Sequence, residues 1–270
     1  MSAPSSAPVS SRRPAAELRG VTRIWPGGVT ALSEIDLTLP AASVVGLVGP
    51  NGGGKSTLLA LLAGRLAPTT GSIRVLGHDP SRRRDRRELR RRIGYLTQDI
   101  ALDNEMTGAE TLSLFAVLHG VPQRQSRIRC EELTEQWGLG NHADRQVGTY
   151  SGGLKRRLHL ALGGVVAFDV LLLDEPTTGL DAAGREVVWR WVDAHRGGGG
   201  TAVISTHDLA AAGSQCDAVI VVVGGRIVAL GAPAQLLEKY GAADLAEVYT
   251  VLTGSPPDAP APPNEKRRRR

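Results

Sequence analysis

The chain has 270 residues, of which 41% are hydrophobic and 22% charged, and this apolar content suffices for a large folded core. Its formal net charge of +5 is carried entirely by Arg12, Arg13 and the segment 255–270, because acidic and basic side chains are equal in number over residues 14–254. This neutral body argues against a broad nucleic-acid surface. Apolar runs such as residues 165–173 are much shorter than the roughly 20 residues that cross a membrane.

Both ends of the chain lack apolar periodicity. Segments 1–14 and 255–270 are rich in Pro, Ser and Ala or end in an arginine run, so we predict disordered tails flanking one domain at residues 15–254. The N-terminus has no apolar run of the kind found in secretory signals, which favours the cytosol. Cys130 and Cys216 show no pairing pattern and are expected to be small core residues.

Short strand patterns open the domain. The runs VTRIW and LSEIDLTL predict β-strands that form an antiparallel part of the fold. A short β-branched run at residues 44–48 predicts a buried strand, and the apolar run at residues 58–62 predicts a helix. The glycine-rich segment GPNGGGKST therefore lies between a strand and a helix.

This segment fits the pattern GxxxxGKS of a phosphate-binding loop. Its backbone N–H groups and the positive end of the following helix are expected to form a cradle for polyphosphate. Lys55 is predicted to contact the β and γ phosphates, the Ser56 hydroxyl to bind Mg²⁺, and Thr57 to line the α and β phosphates. The complete predicted loop is Gly49, Pro50, Asn51, Gly52, Gly53, Gly54, Lys55, Ser56 and Thr57.

An arginine-rich run follows at residues 82–92. It predicts a solvated helix face on which Asp85 and Glu88 are local partners of the arginines. Contact with an acidic partner, or with the inner surface of a membrane, is the alternative interpretation.

Strands and helices alternate through the rest of the domain. Strands are predicted at residues 72–76, 93–97, 170–173, 201–205 and 217–223, and helical segments at about 108–138, 151–162 and 182–195. This alternation indicates a mostly parallel sheet covered on both sides. The sequence has no visible internal repeat, which indicates a single nucleotide-binding domain.

Two consecutive acids, Asp174 and Glu175, end the apolar run DVLLLDEP. A buried parallel strand places such residues at its carboxyl end, where α/β sheets bind ligands. Together with the phosphate loop, this position predicts that Asp174 holds Mg²⁺ through water and that Glu175 orients and deprotonates an attacking water.

The segment YSGGLKRRLHLA at residues 150–161 resembles the signature of ATP-binding cassette (ABC) transporter ATPases. The similarity extends over about residues 15–254. The phosphate loop, Gln98 in IGYLTQD, the signature, the two acids, Leu180 with Asp181, and His207 in ISTHD occur in the family's order and spacing. The resemblance implies an α/β fold: a P-loop NTPase core with a mostly parallel sheet, an antiparallel β subdomain, and a helical signature subdomain at about residues 98–165.

The resemblance also implies ATP and Mg²⁺ as cofactors. Trp25 matches the aromatic position that stacks on adenine, although a core tryptophan is the alternative. Gln98 resembles the residue that contacts Mg²⁺ and the attacking water, while its loop packs on the membrane partner. His207 resembles the histidine that contacts the γ phosphate. The implied catalytic residues are Glu175, His207 and Gln98, and the implied metal ligands are Ser56, Gln98 and Asp174.

A second anion site is expected where Ser151, Gly152 and Gly153 begin a helix. In the family this site completes the pocket of a second subunit, so the resemblance implies a homodimer with ATP held between the two chains. Asp181 would then carry contact between the two sites.

The signature YSGGL followed by the basic run Lys155, Arg156 and Arg157 resembles the ABC-2 subgroup of drug and lipid-type exporters, and the segment FAVLHGVP after the Gln98 loop is similar to that subgroup too. This implies separately encoded membrane permease subunits, a position at the cytoplasmic face of the inner membrane through the permease, and no nucleic-acid partner. Two alternatives remain: a soluble ABC-type ATPase acting on nucleic acid or ribosomes, and a nucleotide-binding regulatory module that does not hydrolyse ATP.

Overall fold

The structure is a computed structural model, which describes residues 13–254 and residue 256. The predicted disorder of segments 1–14 and 255–270 therefore concerns residues that, apart from 13, 14 and 256, lie outside the described part of the chain.

The strands form two sheets. They are β1 (Ala16–Ile24), β2 (Thr30–Leu39), β3 (Val44–Val48), β4 (Thr70–Val75), β5 (Ile93–Leu96), β6 (Val170–Asp174), β7 (Thr201–Ser205), β8 (Ala218–Val223) and β9 (Arg226–Gly231). One sheet has the antiparallel order β2-β1-β4. The other has the order β5-β6-β7-β3-β8-β9, in which every pair is parallel except β8 with β9. The predicted α/β class, with an antiparallel part beside a mostly parallel sheet, is confirmed.

Helices cover the parallel sheet. They are α1 (Lys55–Leu62), α2 (Arg83–Arg92), α3 (Gly108–Leu118), α4 (Gln123–Gln136), α5 (Gly152–Leu162), α6 (Ala182–Gly197), α7 (Leu209–Gln215), α8 (Pro233–Tyr240) and α9 (Leu245–Thr253). Short 3-10 turns lie at Gly140–His142 and Val147–Thr149. No helix in the described ranges combines the length and apolarity that a bilayer crossing requires.

The core has two parts, one on each face of the parallel sheet. Helix α1, the antiparallel sheet and one face of β3, β6 and β7 share the first cluster. The other face of the sheet packs against α3 to α9 in the second cluster. Cys130 and Cys216 are free and buried, as expected.

One helical stretch was predicted at about residues 108–138, and this prediction is wrong because the structure has two separate helices there, α3 and α4. Helix α3 is capped at His119, and Gly120 follows with a φ of +73°. Pro122 then precedes α4, and a proline cannot supply the N–H that a continuous helix needs. Strand β9 and the helices α7, α8 and α9 were not predicted from the sequence.

The arginine-rich run forms α2, whose only buried residue is Leu89. The charge of Glu88 helps to raise the pKa of Arg92, after the larger effect of Asp169, whereas Asp85 does not pair with the arginines of the run as expected. Asp85 instead accepts a hydrogen bond from the backbone N–H of Asp79 at 3.0 Å. Arg92 at the end of the helix pairs with Asp169 at 2.8 Å, which ties α2 to the residue before β6.

His159 on α5 is a buried ionisable residue, with 8% of its surface exposed. Burial, and then the charge of Arg156, lowers the pKa of its ring to about 4 from an ordinary value of 6.5. The backbone of Thr97 opposes this shift, although neither ring nitrogen makes a well-aligned hydrogen bond among the described residues. The folded state therefore favours the neutral ring.

We predict that His159 makes the fold sensitive to acid. The unfolded chain takes up a proton near pH 6.5, which the folded chain resists until about pH 4. The contribution of neutral His159 to the free energy of unfolding is therefore complete above the unfolded pKa and is lost as the pH falls through this window. At pH 5 the loss amounts to about 2 kcal/mol. Urea unfolding at pH 7 and pH 5 should show a smaller pH effect for His159→Leu than for the wild type. An equal effect in both proteins would contradict the prediction.

Candidate functional site

The carboxyl ends of four neighbouring parallel strands define the site. The loop beginning at Gly49 follows β3, and Gln98 lies two residues after β5. Strand β6 ends at Asp174, with Glu175 next in the chain, and β7 ends at Ser205. Because the strands are parallel and adjacent, these side chains meet at one edge of the sheet.

A cavity of about 540 Å³ lies at this edge. It brings together most of the residues predicted for nucleotide and metal binding: Trp25, Pro50, Asn51, Gly52, Gly53, Gly54, Lys55, Ser56, Thr57, Gln98, Asp174 and Glu175. Val29, Thr30 and Ala31 complete its lining. Gly49, Ser151, Gly152, Gly153, Asp181 and His207 do not line it.

The glycine-rich loop wraps tightly over the end of the sheet. A Cβ atom at Gly49 would lie 2.1 Å from the carbonyl oxygen of Val222, so no larger residue fits there. Gly54 caps α1 with a φ of +112°, a conformation that L side chains rarely adopt. The loop thus directs its backbone toward the cavity at the start of a helix, the geometry of an anion site.

Lys55 is the first residue of α1, and only 6% of it is exposed. Its Nζ donates to the carbonyl oxygens of Gly49 at 2.7 Å and Pro50 at 3.2 Å, so the ammonium group is held against the loop. Burial lowers the pKa of Lys55, while the charges of Glu175 and Asp174 oppose this shift.

Ser205 holds the two acids at the end of β6. Its Oγ donates to Oδ1 of Asp174 at 2.5 Å and accepts the backbone N–H of Glu175 at 2.8 Å. Asp174 and Glu175 are buried, with 4% and 6% of their surfaces exposed. One hydroxyl on the adjacent strand therefore holds both the carboxylate of Asp174 and the backbone of Glu175.

His207 lies next to the predicted base. Its Nε2 is 2.8 Å from Oε1 of Glu175. This oxygen nonetheless lacks a well-aligned hydrogen bond within the described part of the chain. Glu175 thus has a buried oxygen available to accept a proton, with an imidazole beside it.

Trp25 stands at the rim of the cavity with 36% of its surface exposed. The guanidinium of Arg23 lies 4.8 Å from the centroid of the indole ring. A turn closed by the hydrogen bond from the Trp25 N–H to the Val29 oxygen, at 2.8 Å, presents the side chain at this position. The core-tryptophan alternative does not fit this exposure.

The signature residues lie at the exposed start of α5. The Oγ of Ser151 accepts the backbone N–H of Leu154 at 3.3 Å and so caps the helix. Asp181 caps α6 by accepting the N–H of Gly184 at 2.9 Å, and it pairs with Arg157 at 2.8 Å. Within one chain, Ser151 and Asp181 thus cap helices and do not line the cavity.

The donor atoms at the cavity suit Mg²⁺. The hydroxyl of Ser56, the amide of Gln98 and the carboxylate of Asp174 all belong to residues that line it. No group of three or more His, Cys, Asp or Glu side chains is arranged as a metal cage in the part of the chain that is described. Mg²⁺ is commonly bound by one or two carboxylates together with substrate phosphates, so this sparse oxygen set fits it.

Two residues that contact the segments of the site had no predicted role: Ser205, and Arg156, whose guanidinium contacts the carbonyl oxygens of Gln98 and Asp174. Ser205 was present only within the motif ISTHD, and Arg156 only as part of a basic run after the signature. The sequence shows Ser205 only as a polar residue at the end of an apolar strand. It shows Arg156 only as a basic residue within a helix whose other buried residues are mostly apolar. Neither pattern indicates which distant backbone groups such a residue contacts.

Comparison with known proteins places these features in context. Residues 32–178 match the ABC transporter family. The daunorubicin/doxorubicin resistance ATP-binding protein DrrA of Streptomyces peucetius is 40% identical over 227 residues, which are 84% of this chain and 68% of that protein. The Nod factor export ATP-binding protein I of Burkholderia lata is 38% identical over 224 residues, covering 83% and 73% of the two chains.

A solved structure shares the fold. The ATP-binding cassette MJ0796, determined as a dimer in a post-hydrolysis state bound to ADP and Pi, superposes with a TM-score of 0.74 at 24% identity. The match covers 80% of this chain and 98% of that one.

We predict that Ser205→Ala destabilises the protein, because it leaves a buried N–H and a buried carboxylate without this partner. The expected loss is about 1 to 3 kcal/mol in the free energy of unfolding, measured with urea. Ser214→Ala on the exposed side of α7 is the matched control, with an expected change within about 0.5 kcal/mol. Equal effects of the two substitutions would refute the role assigned to Ser205.

Proposed function

Because the chain belongs to the ABC transporter family as an ATP-binding, ATP-hydrolysing subunit of exporter type, we propose that it drives export by hydrolysing ATP in the cavity at the ends of β3, β5 and β6. The observation that carries this assignment is the convergence of the phosphate loop, Gln98, Asp174 and Glu175 on one cavity.

ATP binding is assigned to the loop and to Trp25. The backbone N–H groups at the start of α1 would bind the phosphates, with Lys55 neutralising the β and γ groups. Trp25 at the rim offers a flat indole face to the adenine, a contact typically worth about 1 to 3 kcal/mol per base. Thr57 would contact the α and β phosphates.

Hydrolysis is assigned to Glu175. Its buried Oε1, which lies beside the imidazole of His207, would accept a proton from a water that Gln98 helps to orient. The contact of His207 with the same carboxylate suits a residue that positions the base and reaches the γ phosphate. Ser205 would keep both acids in place during this step.

The Mg²⁺ site is assigned to Ser56, Asp174 and Gln98. The metal would supply neutralisation of the charge on the β and γ phosphates. Asp174 is already oriented by its 2.5 Å contact with Ser205.

The signature supports a second half of the site contributed by another copy of the chain. A Cβ atom at Gly152 would meet no atom within 4 Å outside its own helix among the residues that the structure describes, so packing of that part of one subunit does not require this glycine. A closely approaching phosphate would require it. We infer that Ser151, Gly152 and Gly153 bind the ATP of a partner copy and that Asp181 lies near that interface. The dimeric state of the fold relative MJ0796 is consistent with this arrangement.

Membrane permease subunits, encoded separately, are the proposed partners, and they would place this chain at the cytoplasmic face of the inner membrane. The names of the relatives, which refer to drug resistance and Nod factor export, favour export over an ATPase acting on nucleic acid or ribosomes. A regulatory module without turnover would be expected to lack Lys55, Glu175 or His207, and the chain retains all three.

We predict that Glu175→Gln abolishes turnover while retaining ATP. The amide keeps the size of the side chain but cannot accept the proton, so the rate of phosphate release should fall by at least about 100-fold. The substitution should also trap an ATP-bound dimer that is visible by size exclusion. Glu186→Gln, on an exposed face of α6, is the matched control and should keep the wild-type rate. Near wild-type turnover in Glu175→Gln would reassign the base.

We predict that Ser151→Arg blocks dimer closure, because the long cation would fill the space of the partner's phosphate. In the Glu175→Gln background with ATP, size exclusion should show a monomer. Asp244→Arg, which removes the exposed cap of α9, controls for the cost of losing a helix cap and should leave the dimer intact. A dimer that still closes with Ser151→Arg would refute the shared-site geometry.

A further inference from the structure

Arg156 lies in the second turn of α5, and only 4% of it is exposed. Its neighbours behave differently. Lys155 reaches Asn104 at 2.9 Å, and Arg157 pairs with the exposed Asp181. Arg156 alone of these three basic residues points into the protein.

The guanidinium of Arg156 binds backbone carbonyl oxygens of two separate segments. From the segment that carries Gln98, Nη1 contacts the oxygens of Gln98 at 2.9 Å and Thr97 at 3.4 Å. From the end of β6, Nε contacts the oxygen of Pro176 at 3.2 Å, and Nη2 contacts those of Asp174 at 3.2 Å and of Glu175. One side chain therefore joins the two segments that contain Gln98 and Glu175, two of the three proposed catalytic residues.

This charge is buried without a carboxylate in direct contact among the described residues. Burial lowers the pKa of Arg156, and the nearby charges of Asp174 and Glu175 oppose that effect. A buried cation is tolerated only where its donors are matched with acceptors. The carbonyl oxygens supply that match, which makes the arrangement sensitive to small displacements of either segment.

Glu175 depends on such support because its backbone is strained. Its φ is +51°, a region that residues other than glycine rarely occupy. Ser205 holds its N–H, Arg156 its carbonyl oxygen and His207 contacts its carboxylate. Strained residues persist only where surrounding contacts determine them, so the loss of one contact should let Glu175 move.

We propose that Arg156 is a positioning residue for hydrolysis, which holds the Gln98 segment and the end of β6 in a fixed relation through its five carbonyl contacts. The inference rests on the proposed ATPase function. Arg156 acts through the backbone of Glu175 and Gln98 and does not itself contact the nucleotide cavity, whose lining does not include it.

The shape of the guanidinium explains why arginine occupies this position. Its donors diverge in one plane, so they can bind two segments at once. A lysine ammonium is a compact group that can reach only part of this set. Arg156→Lys should therefore retain the charge and restore the contacts partially, whereas Arg156→Gln should lose most of them.

The test compares steady-state ATP hydrolysis by Arg156→Gln, Arg156→Lys and the matched control Arg129→Gln. Arg129 on α4 also donates to a backbone carbonyl, that of Gly164, at 2.8 Å. A displacement of about 1 Å in a catalytic group can cost about 100-fold in rate, so kcat should fall about 100-fold in Arg156→Gln with KM for ATP within about threefold. Arg156→Lys should fall by about tenfold, and Arg129→Gln should stay within about twofold.

A double variant separates positioning from general destabilisation. If Arg156 acts through Glu175, adding Arg156→Gln to Glu175→Gln should lower the residual rate by less than about threefold. A full additional loss of about 100-fold would overturn the proposal, since it would mean that Arg156 acts independently of the base.

Amide hydrogen exchange provides a readout that does not depend on turnover. Arg156→Gln should increase exchange at residues 97–99 and 174–178 together, and Arg129→Gln should leave both segments unchanged. Wild-type kcat with unchanged exchange in these segments would overturn the positioning role. Absence of ATP hydrolysis by the wild-type protein would instead refute the proposed function, and the exchange data would still decide whether Arg156 couples the two segments.

Discussion

Parallel pairing of β5, β6, β7 and β3 is the constraint on which the site depends. The ladder places Asp174 opposite Ser205, and Ser205 opposite Leu47, so the ends of three strands coincide in register. A slip of one residue would reverse the faces of a strand and separate the acids from the hydroxyl that holds them. The glycine-rich loop, which follows β3 directly, is set against these acids by the same pairing.

The site concentrates buried charge. Lys55 and Arg156 are buried cations whose donors meet carbonyl oxygens. Asp174 and Glu175 are buried anions, and their carboxylates contact the Ser205 hydroxyl and the His207 imidazole, respectively. Such groups are costly to remove from water unless each is matched. Because each charged group has a protein partner, the protein itself fixes the orientation of these groups. Groups fixed in this way can stabilise charge that develops during a reaction without having to reorganise.

Helix α5 links the two proposed parts of the function. It begins at the exposed Ser151, where we place the phosphate of a partner's ATP, and it carries the buried Arg156 one turn later. Under the proposed dimer, a shift of this helix on binding would reach the Gln98 segment and Glu175 through one side chain. At its start the helix would then contact the nucleotide bound by the partner's phosphate loop. Through Arg156 it contacts the segments that carry the hydrolytic residues of its own chain.

The sequence by itself determined the strand, loop and helix around Lys55, the two acids after β6 and the α/β class, because these follow from local periodicity and glycine placement. The break between α3 and α4 lies at Gly120 and Pro122, residue types that end helices, so the sequence did carry the signal that the prediction of one long helix overlooked. Only the tertiary structure decided which groups Ser205 and Arg156 contact. Their partners lie between 18 and 59 residues away in the sequence, and which backbone groups they meet depends on strand order, which no local pattern records.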